Sequence, residues 1–489
     1  MGLSVRQTVR VAAMIGAVVI VAATATAAQA PPAGDPFAIE STALVPLDDE
    51  LSISIVGIHG QITVSTRAER ELRVVSRAPG SQGADLPVGI WQVGSKMIVA
   101  PAPGDPNGAR MLNVEVPKGF LISVDAVDSD VVIQSEGGDI ELRGTNVRAS
   151  IQAVGGSTTA DLTGGKLTVN ESMDATVRVR GTATTISAIS GNVNVRATGG
   201  RIALAKIEGP TDIESDGSTL VFDGLSGSLH VKAQKGDATV VGSIGGAELE
   251  LSGTPLRLKD GTGDLTVSSD ATVDFATMAA LMHFDMHGGS LRGKGNAGIL
   301  EVRARNTEVN VQSILEGMRL EGDGLKAQIV EVGGELHVET TVSDIFVDRV
   351  ASVILKVDGG NVTIQRAAGP VQATVVGADI HILDGSGPVT LDADRGEAEV
   401  AWASMGGGKD SNLTNKGGSL TVRIPGSGWC QVDAKSTFGR IDSDIPTVKV
   451  TDDLTEARGP VNSGSRPTIR IVANGDIHIL GAEKVGEAK

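Results

Sequence analysis

The chain contains 489 residues, of which 64 are Gly, whereas aromatic residues make up only 2% and Tyr is absent. Its formal net charge of −17 argues against nucleic-acid binding, because a polyanion repels phosphates and few rings are present on which bases could stack. Apolar residues still reach 40%, chiefly as Val, Ile, Leu and Ala. This composition is typical of many short strands joined by tight turns, and it predicts an all-β fold.

The amino-terminal segment has the layout of a secretory signal. Arg6 and Arg10 precede an apolar run over residues 11–28, which ends in small residues. This layout predicts a signal peptide over residues 1–30 and an exported protein, located in the periplasm, on the cell surface or outside the cell. The apolar run is also long enough to act as an uncleaved membrane anchor, an alternative that the sequence leaves open.

Two segments separate the signal from the main body of the chain. Residues 31–45 are rich in Pro and Ala and predict a flexible tether. Residues 46–111 predict N-terminal strands and a cap, with an irregular hairpin region near Pro87, Pro101 and Pro103.

A short pattern recurs from residue 112 to residue 445 and in both flanks: Gly, any residue, apolar, polar, apolar. Its copies begin at Gly60, Gly138, Gly165, Gly191, Gly200, Gly227, Gly263, Gly334, Gly360, Gly418 and Gly475. The period of two places the apolar pair on one face of a strand, and Gly is suited to the positive φ of a sharp corner. Each copy therefore predicts a turn followed by a half-buried strand.

Strand starts fall roughly 9 to 11 residues apart, so two of them form a coil of roughly 20 residues. A unit this short cannot bury its apolar face alone, and stacking coil on coil solves that problem. We therefore predict a parallel β-helix-like β-solenoid over residues 112–445. A propeller would show a longer period with recurrent Trp, and a sandwich of this length would need linkers that are absent between residues 112 and 445.

Residues 446–489 predict a C-terminal loop followed by capping strands, because solenoid ends expose unpaired strand edges. The last strand pair is expected between Thr468 and Leu480. Cys430 is the only thiol of the chain and alternates in phase with Val432 and Ala434. It is therefore expected to be a small buried residue, and a disulfide framework is excluded.

Three segments outside the Gly-led copies carry a family resemblance: residues 112–119 (LNVEVPKG), 439–444 (GRIDSD) and 467–471 (PTIRI), the last followed by the copy at Gly475. With the repeats, they resemble the exported putative-adhesin proteins of unknown function that form β-solenoids in bacterial envelopes. The resemblance covers nearly the whole chain after the signal. It implies a β-solenoid fold and an envelope location, and it offers no catalytic residues.

His283, Asp285 and His287 are the candidate metal ligands. On a strand they share one face, with Phe284 and Met286 on the other, and two imidazoles with a carboxylate suit zinc or another divalent metal. The alternatives are a plain outward polar face and a short helical excursion, suggested by Met residues at intervals of four. Four further histidines are expected to point outward singly, without a role: His230, His337, His381 and His478.

No motif indicates a cofactor. The Asp- and Gly-containing turns lack the regular calcium-binding repeat of β-rolls, and neither a Walker loop nor a nucleophile elbow is present. We therefore predict a non-enzymatic envelope protein, adhesin-like or a scaffold, with surface glycans or envelope proteins as partners and membrane contact only through an uncleaved N-terminal segment. The alternative is a glycan-active parallel β-helix enzyme, a lyase or a hydrolase, which would need paired carboxylates.

Overall fold

The computed structural model describes residues 40–47, 51–77, 88–101, 109–152, 155–405, 408–462 and 466–482. The predicted signal peptide and most of the predicted tether lie outside these residues. The described part of the chain consists of strands and turns and contains no helix that is long and apolar enough to cross a membrane. The all-β prediction is confirmed, and the strands form a β-solenoid of about 17 turns.

The chain divides into two compact units, residues 1–184 and residues 185–489. The described strands that begin in the first unit are β1 (Glu40–Pro46), β2 (Ser52–Arg67), β3 (Glu71–Arg77), β4 (Val88–Val93), β5 (Lys96–Pro101), β6 (Ala109–Pro117), β7 (Ile122–Gln134), β8 (Ile140–Gln152), β9 (Ser157–Ser172) and β10 (Asp174–Ile189).

The described strands of the second unit fall into three groups. The first group is β11 (Val193–Ile207), β12 (Thr211–Asp216), β13 (Thr219–Leu225), β14 (Leu229–Gln234), β15 (Asp237–Ile244), β16 (Ala247–Ser252), β17 (Leu256–Lys259), β18 (Leu265–Ser269), β19 (Thr272–Met278) and β20 (Met282–His287). The second group is β21 (Ser290–Asn296), β22 (Ile299–Arg305), β23 (Glu308–Ile314), β24 (Gly317–Asp323), β25 (Lys326–Gln365), β26 (Val371–Gly385), β27 (Val389–Asp394) and β28 (Ala398–Trp402). The third group is β29 (Ser411–Asn415), β30 (Leu420–Pro425), β31 (Cys430–Ser436), β32 (Ile441–Ser443), β33 (Lys449–Val450), β34 (Glu456–Val461), β35 (Thr468–Ala473) and β36 (Ile477–Ala482).

Parallel pairing between successive coils fixes the repeat length. Val193 of β11 pairs with Thr211 of β12, and Thr211 pairs in turn with Leu229 of β14. Outward side chains that are paired in this register are 18 residues apart in sequence. His230 and Asp212 are one such pair. The coil is therefore shorter than predicted, because the corners use fewer residues than the spacing of the strand starts suggests.

The core of the second unit is a stack of small apolar side chains. In one coil of the second unit, residues 193–210, every second residue of the two strand segments points inward, and an additional Ile follows the second corner. These inward residues are almost fully buried: Val193, Val195, Ala197, Ile202, Leu204 and Ile207. Burying a Val, Leu or Ile side chain contributes about 1.5–3 kcal/mol, so the repetition of this set in coil after coil supplies the main stabilisation.

Two corners of most coils use left-handed backbone, and each corner recurs at the same place in successive coils. In the second unit the first corner is occupied by Gly199, Gly217, Lys235, Gly253, Gly288, Asn306, Gly324, Val342, Gly359, Gly377 and Arg395, and the second corner by Ala188, Lys206, Gly224, Gly242, Asp260, Thr277, Gly295, Ser313, Glu331, Arg349, Arg366 and Asp384. A left-handed residue turns the chain sharply without an extra loop, and this keeps the coils in register.

Five leading glycines have the expected positive φ, namely Gly60, Gly165, Gly200, Gly263 and Gly360. Others are needed because neighbouring coils approach closely. A Cβ on Gly227 would lie 2.0 Å from the carbonyl oxygen of Gly209, and a Cβ on Gly334 would lie 1.5 Å from that of Glu316. Neither of these two glycines has a positive φ. The expected reason, a positive φ at the corner, is therefore wrong for these two copies.

The last strand pair in sequence, β35 and β36, does not cap the stack, in contrast to the expectation for that pair. β35 pairs in parallel with both β29 and β31, and β36 pairs in parallel with both β30 and β32. The last coil in sequence is thus inserted between two coils that precede it. The antiparallel strand β34, which pairs with β31, covers that end instead.

The amino-terminal part of the first unit is also covered by antiparallel strands. β3 pairs antiparallel with β6, β1 with β3, and β4 with β5. β1 includes residues 40–45, which the sequence predicted as tether, so that prediction is wrong for this stretch. Alternation explains the strand, because Ala43 and Val45 are buried whereas Leu44 is exposed.

We expect Gly334→Ala to lower the free energy of unfolding by about 3 kcal/mol, because the new methyl group would collide with a backbone carbonyl that cannot move independently of its coil. Gly377→Ala is the matched control. Gly377 has a φ of +63° with open space around it, so only left-handed strain of about 1 kcal/mol applies. Urea unfolding followed by circular dichroism checks this, and equal losses in the two variants would refute the close-approach explanation.

Val342 is a β-branched residue with a φ of +46° and 71% exposure, at the corner where Asn306 and Gly324 stand in preceding coils. We expect Val342→Asn to raise the free energy of unfolding by about 1 kcal/mol, since Asn tolerates left-handed backbone better. Val342→Thr keeps the β-branch and should leave stability unchanged. The same urea titration distinguishes the two variants, and a gain with Thr would contradict the strain explanation.

Candidate functional site

Outward side chains of the second unit form columns that run across the coils. Because paired residues of parallel strands lie side by side, each outward position is repeated in the next coil. One such line, here named the histidine column, consists of Asp212, His230, Glu248, Thr266, His283, Glu301, Arg319 and His337. Residues that are far apart in sequence thus become immediate neighbours on the surface.

The three predicted metal ligands lie on strand β20. His283 and Asp285 are half-buried and His287 is exposed, whereas Phe284 and Met286 on the other face are fully buried. The predicted alternation is confirmed, and the helical alternative is wrong because this segment is a strand.

Each of the two histidines lies close to one carboxylate. His283 Nδ1 lies 3.4 Å from Glu301 Oε2 in the next coil, and His287 Nδ1 lies 3.8 Å from Asp285 Oδ1. Within the described residues no group of three His, Cys, Asp or Glu side chains is arranged to hold a metal ion. Metal binding by His283, Asp285 and His287 stays a prediction.

Histidines of the outward face are paired with carboxylates one coil away. His230 Nδ1 lies 3.2 Å from Asp212 Oδ1, and His381 Nδ1 lies 3.2 Å from Glu399 Oε2. The expectation that these two histidines are single surface positions is therefore wrong. His337 ends the histidine column, and His478 is in register with Thr421 and Asp442. The constant sequence spacing of His and acid, one coil in each case, is the signal that would have revealed these pairs.

A second line beside the histidine column carries alternating charges. Arg196 Nε lies 3.1 Å from Glu214 Oε2, and Lys232 Nζ lies 3.3 Å from Glu250 Oε1. Exposed pairs of this kind contribute little to stability, about 0–1 kcal/mol each. These ion pairs nevertheless hold positive and negative side chains in alternating positions on the outward face of the sheet.

Glu399 connects three successive coils. It accepts hydrogen bonds from Arg423 Nε at 2.7 Å and from His381. The Arg423 hydrogen bond, assisted by that of His381, holds the pKa of the Glu399 carboxyl below its ordinary value despite partial burial. A carboxyl in this setting stays ionised, which suits a structural ion pair.

Cys430 is fully buried, as the alternation predicted. Burial raises the pKa of its thiol to about 11. The thiolate that nucleophilic or metal chemistry requires is therefore disfavoured at neutral pH.

Three chains of solved structures match, and two of them are putative adhesion proteins. A putative cell adhesion protein from Clostridium sporogenes is 8% identical over 91% of this chain and 99% of its own, with a TM-score of 0.14. A putative adhesin from Parabacteroides distasonis is 11% identical over 62% of this chain and 97% of its own, with a TM-score of 0.17. No protein-family model and no curated protein matches the chain.

The lowered pKa of Glu399 gives a prediction for pH dependence. A carboxyl whose pKa is depressed in the folded state stabilises the fold above its ordinary pKa of about 4.3, and this contribution is lost as pH falls through the folded value. We expect Glu399→Gln to cost roughly 1 kcal/mol at pH 7 and progressively less below about pH 4.3. Urea unfolding of wild type and variant across that range measures the difference.

Glu397→Gln is the control, since the Glu397 carboxylate has no ion-pair partner among the described residues. It should leave stability unchanged at every pH. A difference between Glu399→Gln and wild type that grows on acidification would contradict the assignment.

Proposed function

We propose that the chain is a non-enzymatic, exported envelope protein, adhesin-like or a scaffold, that presents its solenoid faces to glycans or proteins. The observation that carries the proposal is the parallel register, which aligns outward polar side chains into columns such as the one from Asp212 to His337. These columns form a broad, chemically patterned surface, and such a surface binds a partner without needing an enclosed pocket.

The rigidity of the columns supports this role. Each outward side chain is anchored on a strand that is hydrogen-bonded to a coil on either side, as Glu248 is between His230 and Thr266. A preorganised surface loses little conformational entropy when it binds, so more of the contact energy appears as affinity. Repetition of similar chemistry along one face also favours an extended or repetitive partner.

Hydrogen bonds keep several outward carboxyls ionised. In the described part of the chain, the carboxyls with shifted pKa values are Glu69, Asp270, Glu331, Glu339, Glu399 and Asp453, and hydrogen bonds lower the pKa of each. Ionised carboxylates are suited to ion pairs and to hydrogen bonds with a ligand.

Export is supported by the amino-terminal segment 1–30, whose basic start, apolar middle and small-residue end are typical of a secretory signal. A single thiol, itself buried, is also compatible with an oxidising compartment.

The proposal predicts binding without turnover. We expect the chain without residues 1–30 to bind at least one component of an array of surface glycans and envelope or matrix proteins. In a parallel screen on the same glycans, it should release no reducing ends and no unsaturated products. Sugar cleavage that is abolished by substituting a single carboxylate would contradict the proposal and favour the enzyme.

A further inference from the structure

We propose that one outward face of the second unit binds an acidic polysaccharide, whose carboxylate or sulfate groups pair with Arg257, Arg292 and Lys294. This inference rests on the proposed function and names the ligand class for one surface. The face, here named the basic face, consists of Arg257, Lys259, Asp274, Arg292, Lys294, Asn310, Gln312, Gln328 and Phe346.

The residues of the basic face lie in two adjacent columns, which result from the parallel pairing of successive coils. Arg257 pairs with Asp274, Asp274 with Arg292, Arg292 with Asn310, and Asn310 with Gln328. Two positions further along the same strands, the second column contains Lys259, Ala276, Lys294, Gln312 and Val330. Neighbouring coils are about 4.8 Å apart, so the face offers a polar group at nearly every step.

A shallow, open depression lies in the middle of the basic face. It is lined by Phe275, Gly293 and Val311 and by the charged residues Asp274, Arg292 and Lys294. A Cβ on Gly293 would fall 1.8 Å from the Phe275 ring, so the missing side chain is what leaves room for that ring. The depression has a volume of about 420 Å³, within the range of ligand sites of about 300–1,000 Å³.

The cations of this face are available to a ligand. Arg257, Arg292 and Lys294 have no ion-pair partner within 4.0 Å among the described residues, whereas Lys259 Nζ lies 3.6 Å from Asp260 Oδ2. On the opposite strands of the coil, Arg196 and Lys232 are already paired with glutamates. A group of unpaired cations in a chain of net charge −17 attracts anions locally.

Amide groups and one ring add features that suit a sugar. The side chains of Asn310, Gln312 and Gln328 offer both donors and acceptors, as hydroxyl groups require. The Asp344 N–H donates to the Leu325 carbonyl at 2.9 Å, which places Asp344 beside Lys326 and therefore Phe346 beside Gln328. Phe346 is half-buried between the buried residues Ile345 and Val347, so its ring faces outward at the end of the amide column, where a sugar ring could stack.

Other polyanions match this face less well. A nucleic acid needs several aromatic platforms and a basic surface overall, and this chain is acidic with one ring on the face. An acidic peptide would leave the amide column without hydroxyl partners. An acidic polysaccharide supplies carboxylate or sulfate groups for the cations, hydroxyls for the amides and an apolar ring face for Phe346.

The direct test measures binding of the chain without residues 1–30 to polygalacturonate and to chondroitin sulfate, by isothermal titration at low and at physiological salt. Arg292→Gln with Lys294→Gln should weaken binding roughly tenfold or more, since two charge-assisted contacts are lost. The matched control is Arg303→Gln with Arg305→Gln on the following strand β22, which changes the net charge equally and should alter affinity by less than about twofold.

Phe346→Ala tests the stacking contact separately. It should lower affinity by about threefold to tenfold, whereas Phe438→Ala, at a ring that is 85% exposed elsewhere, should have no effect. Neutral dextran should not bind. The proposal is overturned if neither acidic polysaccharide binds, if polyglutamate or DNA binds as tightly, or if the control pair loses as much affinity as the Arg292 and Lys294 pair.

The outcome separates this proposal from the broader one. A partner found on the array that binds the Arg292 and Lys294 double variant unchanged would preserve the adhesin-like role and remove the basic face as its site. The absence of any partner for the wild-type chain would remove both.

Discussion

The close parallel stacking of one coil on the next is the constraint on which the rest of the structure depends. Strands of a parallel sheet are held about 4.8 Å apart, so whatever stands at a given position must fit against a similar backbone one coil away. Gly334 shows how little space the neighbouring coil leaves, because a methyl group at that position would lie 1.5 Å from a carbonyl oxygen. The left-handed corners, the small apolar core and the shortness of the turns follow from the same requirement.

The same register converts sequence repetition into surface chemistry. An outward side chain faces the residues at the same position in the coils before and after it, and this produces the His–carboxylate pairs, the alternating ion pairs and the basic face. A cluster on this surface is therefore composed of residues one coil apart in sequence. His230 and Asp212 form such a pair, and the coil length of 18 residues is what relates them in sequence.

Much of the fold could be predicted from the sequence because period-two alternation and glycine spacing are local signals. The burial of Cys430 followed directly from alternation, whereas alternation over residues 282–287 predicted the strand but left a helical alternative open. The coil length did not, since left-handed residues such as Lys206 and Arg349 turn the chain without a glycine to mark the corner. The insertion of β35 and β36 between earlier coils was also missed, because strand order in space is a non-local property. The basic face required both the register and the space above Gly293, neither of which a linear pattern contains.

Disulfide formation between designed cysteines tests the register between coils most directly, in a chain in which the buried Cys430 is replaced by Ala. Glu248 and Thr266 are paired in adjacent coils, at about the Cα separation that a disulfide needs. Glu248→Cys with Thr266→Cys should therefore oxidise rapidly to an intramolecular disulfide. Glu248→Cys with Ser268→Cys, displaced by two positions along the strand, should not. Crosslinking of the second pair alone, or of both pairs equally, would contradict the stacked coils and the surface columns that depend on them.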